Sequence, residues 1–460
     1  MIGGIHPGET SQQKTQQERT KNLKMELIER ILAPENLTGA SKEVIRNKGA
    51  GGIDGMKVSD LKKYLDDHRS ELKQAVKNCR YLPQPIRGKE IPKGNGKTRL
   101  LGIPTVIDRM LQQAVLRVIM PMYEYEFSTY SYGFRPRRNC HQAVSKALDF
   151  INSGYQHIVE IDLKGFFDNV DHVLLLQILY RKIKCKATMC LLRRWLRAPI
   201  ERNGKLEKRR IGVPQGSPIS PLLSNVILHE LDKEMERQKL NFVRYADDFS
   251  LYCKTKAEAR KAGNAIYLYL RDKLKLPINR EKSGIRRPVT FQILGYGFVP
   301  TYRKGEKGRY QLVVSAKRWK AFKAKLKEIT RKTTPMSLVE RIRKLNSIQR
   351  GWINYFQFAS MQQKLLELDG WLRNRIRYCI WHHWKKLERK RKNLIRLGVN
   401  KQQAYAWSRT RMGGWAVAQS PILRTTITAS RLKQRGYNSL LDIYQSFRNH
   451  SGTLSLFPMF

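Results

Sequence analysis

The sequence predicts an α+β protein in which a mixed part is followed by a helical, strongly basic one. Two observations predict the architecture, and a third its charge. Between about Arg80 and Arg318, strand-like apolar runs alternate with helical ones. After Tyr310, apolar residues recur at spacings of three and four with Lys and Arg between them. Across the 460 residues, 89 Lys plus Arg stand against 38 Asp plus Glu, a formal charge of +51 at pH 7. An excess of that size concerns partners rather than fold, and it favours polyanions.

In chain order, residues 1–24 read as a disordered polar tail without the apolar core of a signal peptide, and Met25 is an alternative start. An amphipathic helix follows, then a break at Pro34, a second helix and a Gly-rich loop. "IPKGNGKTRLLGIP" reads as a hairpin with Lys93, Lys97 and Arg99 about its tip, suited to a triphosphate, although charged hairpin tips are commonplace. "IVEI" is an apolar strand that ends at Asp162, followed by Phe166, Phe167 and Asp168. "GVPQGSPISPLLSNVILHELDKEMER" reads as a loop feeding a helix. Ser217-Pro218 and Ser220-Pro221 are its cap and first-turn pairs, and Leu223, Ile227 and Leu231 mark its buried face. Gly216 lets a backbone approach a ligand closely, and Gln215 is placed to touch a base or sugar.

"NFVRY" and "FSLYC" then make two strands of a hairpin, with Ala246, Asp247 and Asp248 at its tip. Beyond Tyr310, Trp319, Phe322, Leu326 and Ile329 mark one helix. Leu338, Ile342, Leu345 and Trp352 mark the next, and Leu368, Leu372, Ile376 and Ile380 a third. After "RKRKNLIRLGVN" the chain becomes small, basic and aromatic. The expected domains are 25–310, 311–396 and 397–460.

Several classes are disfavoured. No uninterrupted apolar stretch is long enough to span a bilayer. The six cysteines form no CxxC pair, which points to reduced thiols in a cytosolic protein. Cys379, His382 and His383 lie close in sequence but lack a second ligand pair for zinc.

Taken alone, Asp247 and Asp248 are turn residues, since aspartate side chains hydrogen-bond nearby backbone. Asp162 offers a second reading. Carboxylates at a strand end and at a hairpin tip can share divalent ions, and phosphoryl transfer to a polynucleotide end commonly uses two ions about 3.5–4 Å apart. Magnesium takes oxygen ligands and keeps water and phosphate in its shell, so two or three aspartates suffice.

The order of motifs decides between the readings. A basic hairpin, Asp162 with two Phe, Pro-Gln-Gly, "YADD", "LPINREKS" and "ILGYGF" together resemble a reverse transcriptase. "SYGFRPRRNCHQA", "PQGSPISPLLSN", "RYADDF" and "RGWINYF" are similar to the group II intron-encoded branch, the maturases. The resemblance runs over nearly the whole chain from Met25. It implies a right-hand polymerase: fingers and palm with an antiparallel sheet and helices, an α-helical thumb, and a small basic C-terminal DNA-binding domain. By resemblance, Asp162, Asp247 and Asp248 are the catalytic Mg²⁺ ligands. Lys93 and Arg99 hold the triphosphate, Gln215 lines the dNTP pocket, and Lys282 stands near the incoming nucleotide. Phe167 is the gate against a 2′-hydroxyl, or else a plain core residue. "ILGYGF" grips the primer.

The implied partners are group II intron RNA, an RNA template/DNA primer duplex, target DNA and dNTPs. No membrane is implied, a homodimer is left open, and the location is the bacterial cytoplasm. The endonuclease motifs that end many members of the family do not appear before Phe460, which implies the endonuclease-lacking form. The rival readings are a splicing cofactor with a silent polymerase, and a reverse transcriptase of a defence or CRISPR-associated system.

Overall fold

The computed structural model describes residues 26–94, 97–302 and 308–454. The expected tail, Met25 and the side chains of Lys93 and Lys97 lie outside the described residues. The chain divides into two compact units. One comprises the residues up to Phe150 with Tyr155–Arg286, and the other comprises Ile151–Gly154 with the chain from Arg287 onward.

The first unit opens with α1 (Leu27–Ile31) and α2 (Pro34–Arg46). Pro34 ends the first helix and starts the second, because a first-turn residue needs no amide donor. Helix α3 (Leu61–Lys77) follows, then the hairpin of β1 (Ile86–Gly94) and β2 (Lys97–Ile103), and α4 (Val106–Glu124). Asp108 of α4 is buried and accepts from Tyr81 Oη, Trp195 Nε1, Thr105 Oγ1 and the Gln84 amide, so one carboxylate ties the start of α4 to the loop before β1 and to the helix that carries Trp195. Next come α5 (Cys140–Asn152), β3 (His157–Ile161), a 3₁₀ turn at Phe166–Asp168, α6 (His172–Lys182) and α7 (Lys186–Arg197). Short strands β4 (Ile200–Arg202) and β5 (Lys205–Glu207) extend the first hairpin into a sheet of order β2-β1-β4-β5.

Helix α8 (Ser220–Arg237) is buried almost all round, more than its three-residue apolar stripe foretold. The expected caps differ in detail. Ser220 lies inside the helix and its hydroxyl donates to Pro214 O at 2.6 Å, so it locks the preceding loop instead of capping the helix. Strands β6 (Asn241–Tyr245) and β7 (Asp248–Cys253), helix α9 (Lys256–Asp272) and β8 (Gly284–Arg286) complete the unit. Helix α9 starts in a capping box, in which Thr255 accepts from the Glu258 amide and Glu258 reaches back to the Thr255 amide. The second sheet has the order β6-β7-β3-β8 with every pairing antiparallel.

His229 of α8 is 5% exposed, stands edge-on to Phe127 at 5.4 Å, and finds no hydrogen-bond partner for either ring nitrogen among the described residues. Desolvation holds its imidazole at about 4, against an ordinary 6.5; nearby Asp232 opposes the shift, and Lys233 and Arg244 add to it. The folded state therefore resists taking the proton. This contribution to stability is complete above about 6.5 and is lost as pH falls toward 4, worth roughly 3 kcal/mol. In His229→Leu, denaturant titrations are expected to show a smaller loss of unfolding free energy between pH 7 and 4.5 than in wild type. Equal acid slopes in the two proteins would refute this.

The second unit begins with β9 (Gln292–Ile293), β10 (Tyr296–Pro300) and β11 (Tyr310–Val314), in the order β11-β10-β9. Three long helices follow: α10 (Ala316–Ile329), α11 (Leu338–Tyr355) and α12 (Gln362–His383). Their buried faces follow the sequence spacing, and Phe322 stacks on Trp352 at 4.1 Å with 4° between the rings. The "ILGYGF" and "RGWINYF" motifs meet here: Tyr355 Oη donates to Leu294 O at 2.9 Å and Tyr296 Oη donates to Tyr355 O. Arg341, fully buried, donates to the Ile329, Arg331 and Thr334 carbonyls and so closes the C-terminal end of α10.

Five short helices and a longer one complete the unit: α13 (Leu387–Arg396), α14 (Lys401–Ser408), α15 (Gly414–Gln419), α16 (Pro421–Arg424), α17 (Ala429–Gln434) and α18 (Leu440–Leu454). Asp369 of α12, 2% exposed, accepts from Tyr437 Oη at 2.9 Å and from the Leu440 and Leu441 amides at 2.9 and 3.1 Å. Among the described residues no helix is long and apolar enough to cross a membrane.

Candidate active site

The site is built on the β3–β7–β6 face. Strand β3 runs antiparallel to β7 with Ile161 opposite Phe249. One step further along that register, Asp162 faces Asp248 at the same end of two adjacent strands. Tyr245 pairs with Asp248, so Ala246 and Asp247 alone form the hairpin tip, one residue shorter than the sequence reading. Directly opposed residues in an antiparallel pair project to the same face, which puts the Asp162 and Asp248 carboxylates on one side with Asp247 beside them in the turn.

Electrostatics agrees with this crowding. The Asp248 carboxyl is pushed up to about 6, first by desolvation and then by the charges of Asp247, Asp162 and Glu160, while Lys282 opposes the shift. Asp248 is still open to solvent at the lip of the site. Lys282 Nζ stands 3.5 Å from Asp162 Oδ2. The "LPINREKS" loop holds Asp162 from behind: Asn279 N donates to Asp162 O at 2.7 Å, and the Asp162 amide donates to Ser283 Oγ at 3.1 Å. Crowded carboxylates with little countercharge are a donor set that hard divalent cations take. Among the described residues no three His, Cys, Asp or Glu side chains already stand close enough to enclose an ion.

Arg99 and Gln215 meet as well: Arg99 Nε donates to Gln215 Oε1. The backbone reinforces that meeting, since the Gly102 amide of β2 donates to Gln215 O at 2.7 Å. Gly216, at φ +113°, takes a conformation that L side chains rarely adopt, and an added Cβ there would stand 2.6 Å from Gly102 O. Phe167 sits in the 3₁₀ turn after Asp162 and is 9% exposed, with its ring 5.3 Å from Phe166. The Val213 amide donates to its carbonyl at 2.6 Å, which ties the turn to the strand-like segment leading into Gln215. Lys93 falls in the irregular step of the β1–β2 hairpin, between Pro92 and Gly94.

Sequence reading missed the network behind the hairpin. Arg244, with no exposed surface, forms a two-pronged pair with Asp232 at 2.7 and 2.5 Å. Its Nη1 also donates to Asn225 Oδ1 and to the Ala246 carbonyl, both at 3.0 Å. Asn225 Nδ2 in turn donates to Gly133 O at 2.9 Å. Gly133 lies hard against the turn, and an added Cβ would stand 2.2 Å from the Ala246 amide. Ala246 itself has φ +59°, the left-handed region, so these neighbours hold a strained residue in place. The available signal was Arg244 inside the apolar strand run "NFVRY", since a buried charge needs a partner.

Residues 91–298 match the family described as reverse transcriptase (RNA-dependent DNA polymerase). Residues 319–398 match the group II intron, maturase-specific domain. The chain is 33% identical over 299 residues to protein YkfC of Escherichia coli (strain K12), covering 56% of this chain and 78% of that one. It is 38% identical over 239 residues to the group II intron-encoded protein LtrA of Lactococcus lactis subsp. cremoris, covering 50% of this chain and 38% of LtrA. It is 30% identical over 233 residues to the putative COX1/OXI3 intron 2 protein of Saccharomyces cerevisiae, covering 50% of this chain and 26% of that one. The chain thus spans well under half the length of the latter two relatives.

These matches define the class as a reverse transcriptase domain followed by a maturase-specific domain. The chain belongs to the group II intron-encoded reverse transcriptase/maturase family.

Proposed function

We propose that the protein is an RNA-directed DNA polymerase that also binds group II intron RNA to assist its splicing, and that supports intron movement into target DNA (retrohoming). The observation that carries this reading is Asp162 facing Asp248 across adjacent strand ends, with Asp247 in the intervening turn. In this reading Asp162, Asp247 and Asp248 hold Mg²⁺, which supplies positive charge at the attacking and leaving oxygens of an in-line displacement. Lys93 and Arg99 bind the triphosphate of a dNTP. Gln215, oriented by Arg99, lies against the nucleotide. Lys282 supports the departing pyrophosphate, and Phe167 bars a 2′-hydroxyl.

Residues 25–310 act as fingers and palm, 311–396 as the thumb that holds an RNA–DNA duplex and intron RNA, and 397–460 bind target DNA. The net charge of +51 supports polyanionic partners and a nucleic-acid-associated protein of the bacterial cytoplasm. The presence of all three aspartates weighs against a splicing cofactor with a silent polymerase.

The direct test is extension of a DNA primer on an RNA template with dNTPs and Mg²⁺. No extension by folded, RNA-binding protein would move the reading to the splicing cofactor. Phe167→Ala tests the gate. Relative use of rNTPs over dNTPs is expected to rise by roughly tenfold or more, since a pocket excludes a group chiefly by shape. A ratio of two substrates is insensitive to the fraction of protein lost to the core cavity. An unchanged ratio would leave Phe167 as a core residue.

A further inference from the structure

A cavity of about 590 Å³ opens within the second unit, between α10, α12 and α15. One wall is a ridge of lysines. Lys320, Lys323 and Lys327 recur at spacings of three and four, so they share one face of α10. Like charges at those spacings repel one another. The acidic residue of that helix does not relieve them, because Glu328 pairs with Lys325 at 3.0 Å. The residues lining the cavity include no carboxylate.

The opposite wall is aromatic, with Trp371 and Tyr378 on α12 and Trp415 on α15. Arg375 lies among the three rings, 5.9 Å from Trp371, 5.9 Å from Tyr378 and 5.7 Å from Trp415. Its guanidinium is fixed by the Thr330 carbonyl at 2.7 Å and Thr330 Oγ1 at 3.1 Å, both neutral acceptors. Lys323 stands 5.2 Å over Trp371. Gly414 lets α15 come this close, since an added Cβ would stand 3.1 Å from Tyr378 Cε2.

Such a wall suits a flat π-system beside negative charge. Bases stack on aromatic rings and on guanidinium planes alike. A base inside a duplex is already stacked and cannot enter a concave pocket, whereas an unpaired one can. An acidic peptide would satisfy the lysines but leave the rings without a matching surface.

We propose that this cavity takes an unpaired nucleotide of single-stranded RNA, its phosphates along Lys320, Lys323 and Lys327 and its base against Trp371, Arg375 and Trp415. The choice of RNA rests on the reading that the protein handles intron RNA.

The test uses the full chain. A uridine 12-mer carrying 4-thiouridine is photocrosslinked to wild type and the adducts are mapped. Adducts at Trp371, Tyr378 or Trp415 are expected, and adducts confined to other regions would overturn the proposal. In parallel, the affinity of Trp371→Leu/Trp415→Leu is measured for the same 12-mer and for a 12-base-pair RNA duplex. The single strand is expected to bind at least roughly fivefold more weakly, with the duplex nearly unchanged. An equal loss for both, no loss for either, or displacement of the 12-mer by poly-glutamate as effective as by RNA would each overturn it. Should the double variant unfold, Lys323→Ala in the exposed ridge and the wild-type crosslinks still decide. Binding of a folded group II intron RNA by the same preparations separates the two readings: no binding by wild type counts against intron handling, and the adduct map alone judges the cavity.

Discussion

Asp248→Asn is expected to lower primer extension by roughly 10³-fold or more, while leaving the metal-free protein slightly harder to unfold. The first effect follows from losing an anionic ligand where several kcal/mol of transition-state charge stabilisation are at stake. The second follows from the raised carboxyl. Asp248 ionises reluctantly because desolvation and the charges of Asp247 and Asp162 oppose it, so a neutral isostere removes a repulsion from the folded state. Asp248 is open to solvent, and water damps much of that repulsion, so the gain in melting temperature is small. Added Mg²⁺ should reverse the order: wild type gains stability by binding the ion and the variant gains less. Thermal melts in EDTA and in excess Mg²⁺, run beside extension assays, read all three effects. A variant that extends like wild type, or that melts lower in EDTA, would count against the metal-site reading.

The second large effect concerns Arg244. Replacing it with Met leaves Asp232 buried and unpaired, which is expected to cost about 3–5 kcal/mol. The double variant Arg244→Met/Asp232→Leu removes both charges and should recover most of that loss, because apolar replacement of a whole buried pair is often nearly neutral. Activity should not recover with it. The Arg244 Nη1 bond to the Ala246 carbonyl is gone in both variants, and with it the tie that holds the Asp247–Asp248 turn. The expected signature is a near-normal denaturation midpoint with kcat reduced by roughly tenfold or more and KM for dNTP little changed, since only an interaction felt in the transition state is weakened. Recovery of both stability and kcat would show that the pair is merely structural.

Much of the architecture was legible because it follows periodicity. The buried faces of α10, α11 and α12 repeat the apolar spacing read from the chain, and the β6–β7 hairpin follows from two β-rich runs about a turn. The motif residues were picked out by resemblance, and the structure brings two of them, Arg99 and Gln215, together across 116 residues. What stayed hidden is contact between side chains far apart in sequence. Arg244 stands inside an apolar strand run, but in a chain with 89 Lys and Arg only packing reveals its partner on α8. The near-complete burial of α8 was hidden for a related reason. Its polar positions Ser224, Asn225, His229 and Asp232 lie off the apolar stripe, yet all four are buried, and Asn225 and Asp232 are occupied by partners on other segments. The Ser220 cap failed because a hydroxyl at a helix start can donate backward to a loop as readily as accept from an amide.

Asp369 bears on how the C-terminal part of the chain comes apart. The texture of the sequence changes near Gly398, yet this carboxylate on α12 is satisfied entirely from beyond that point, by Tyr437 and the first amides of α18. Cutting the chain at the change in texture would strip three donors from a charge buried to 2% exposure. Cooperativity in unfolding follows such shared bonds more closely than it follows composition. Energetically, α12 is finished by residues that lie some seventy positions downstream of Asp369.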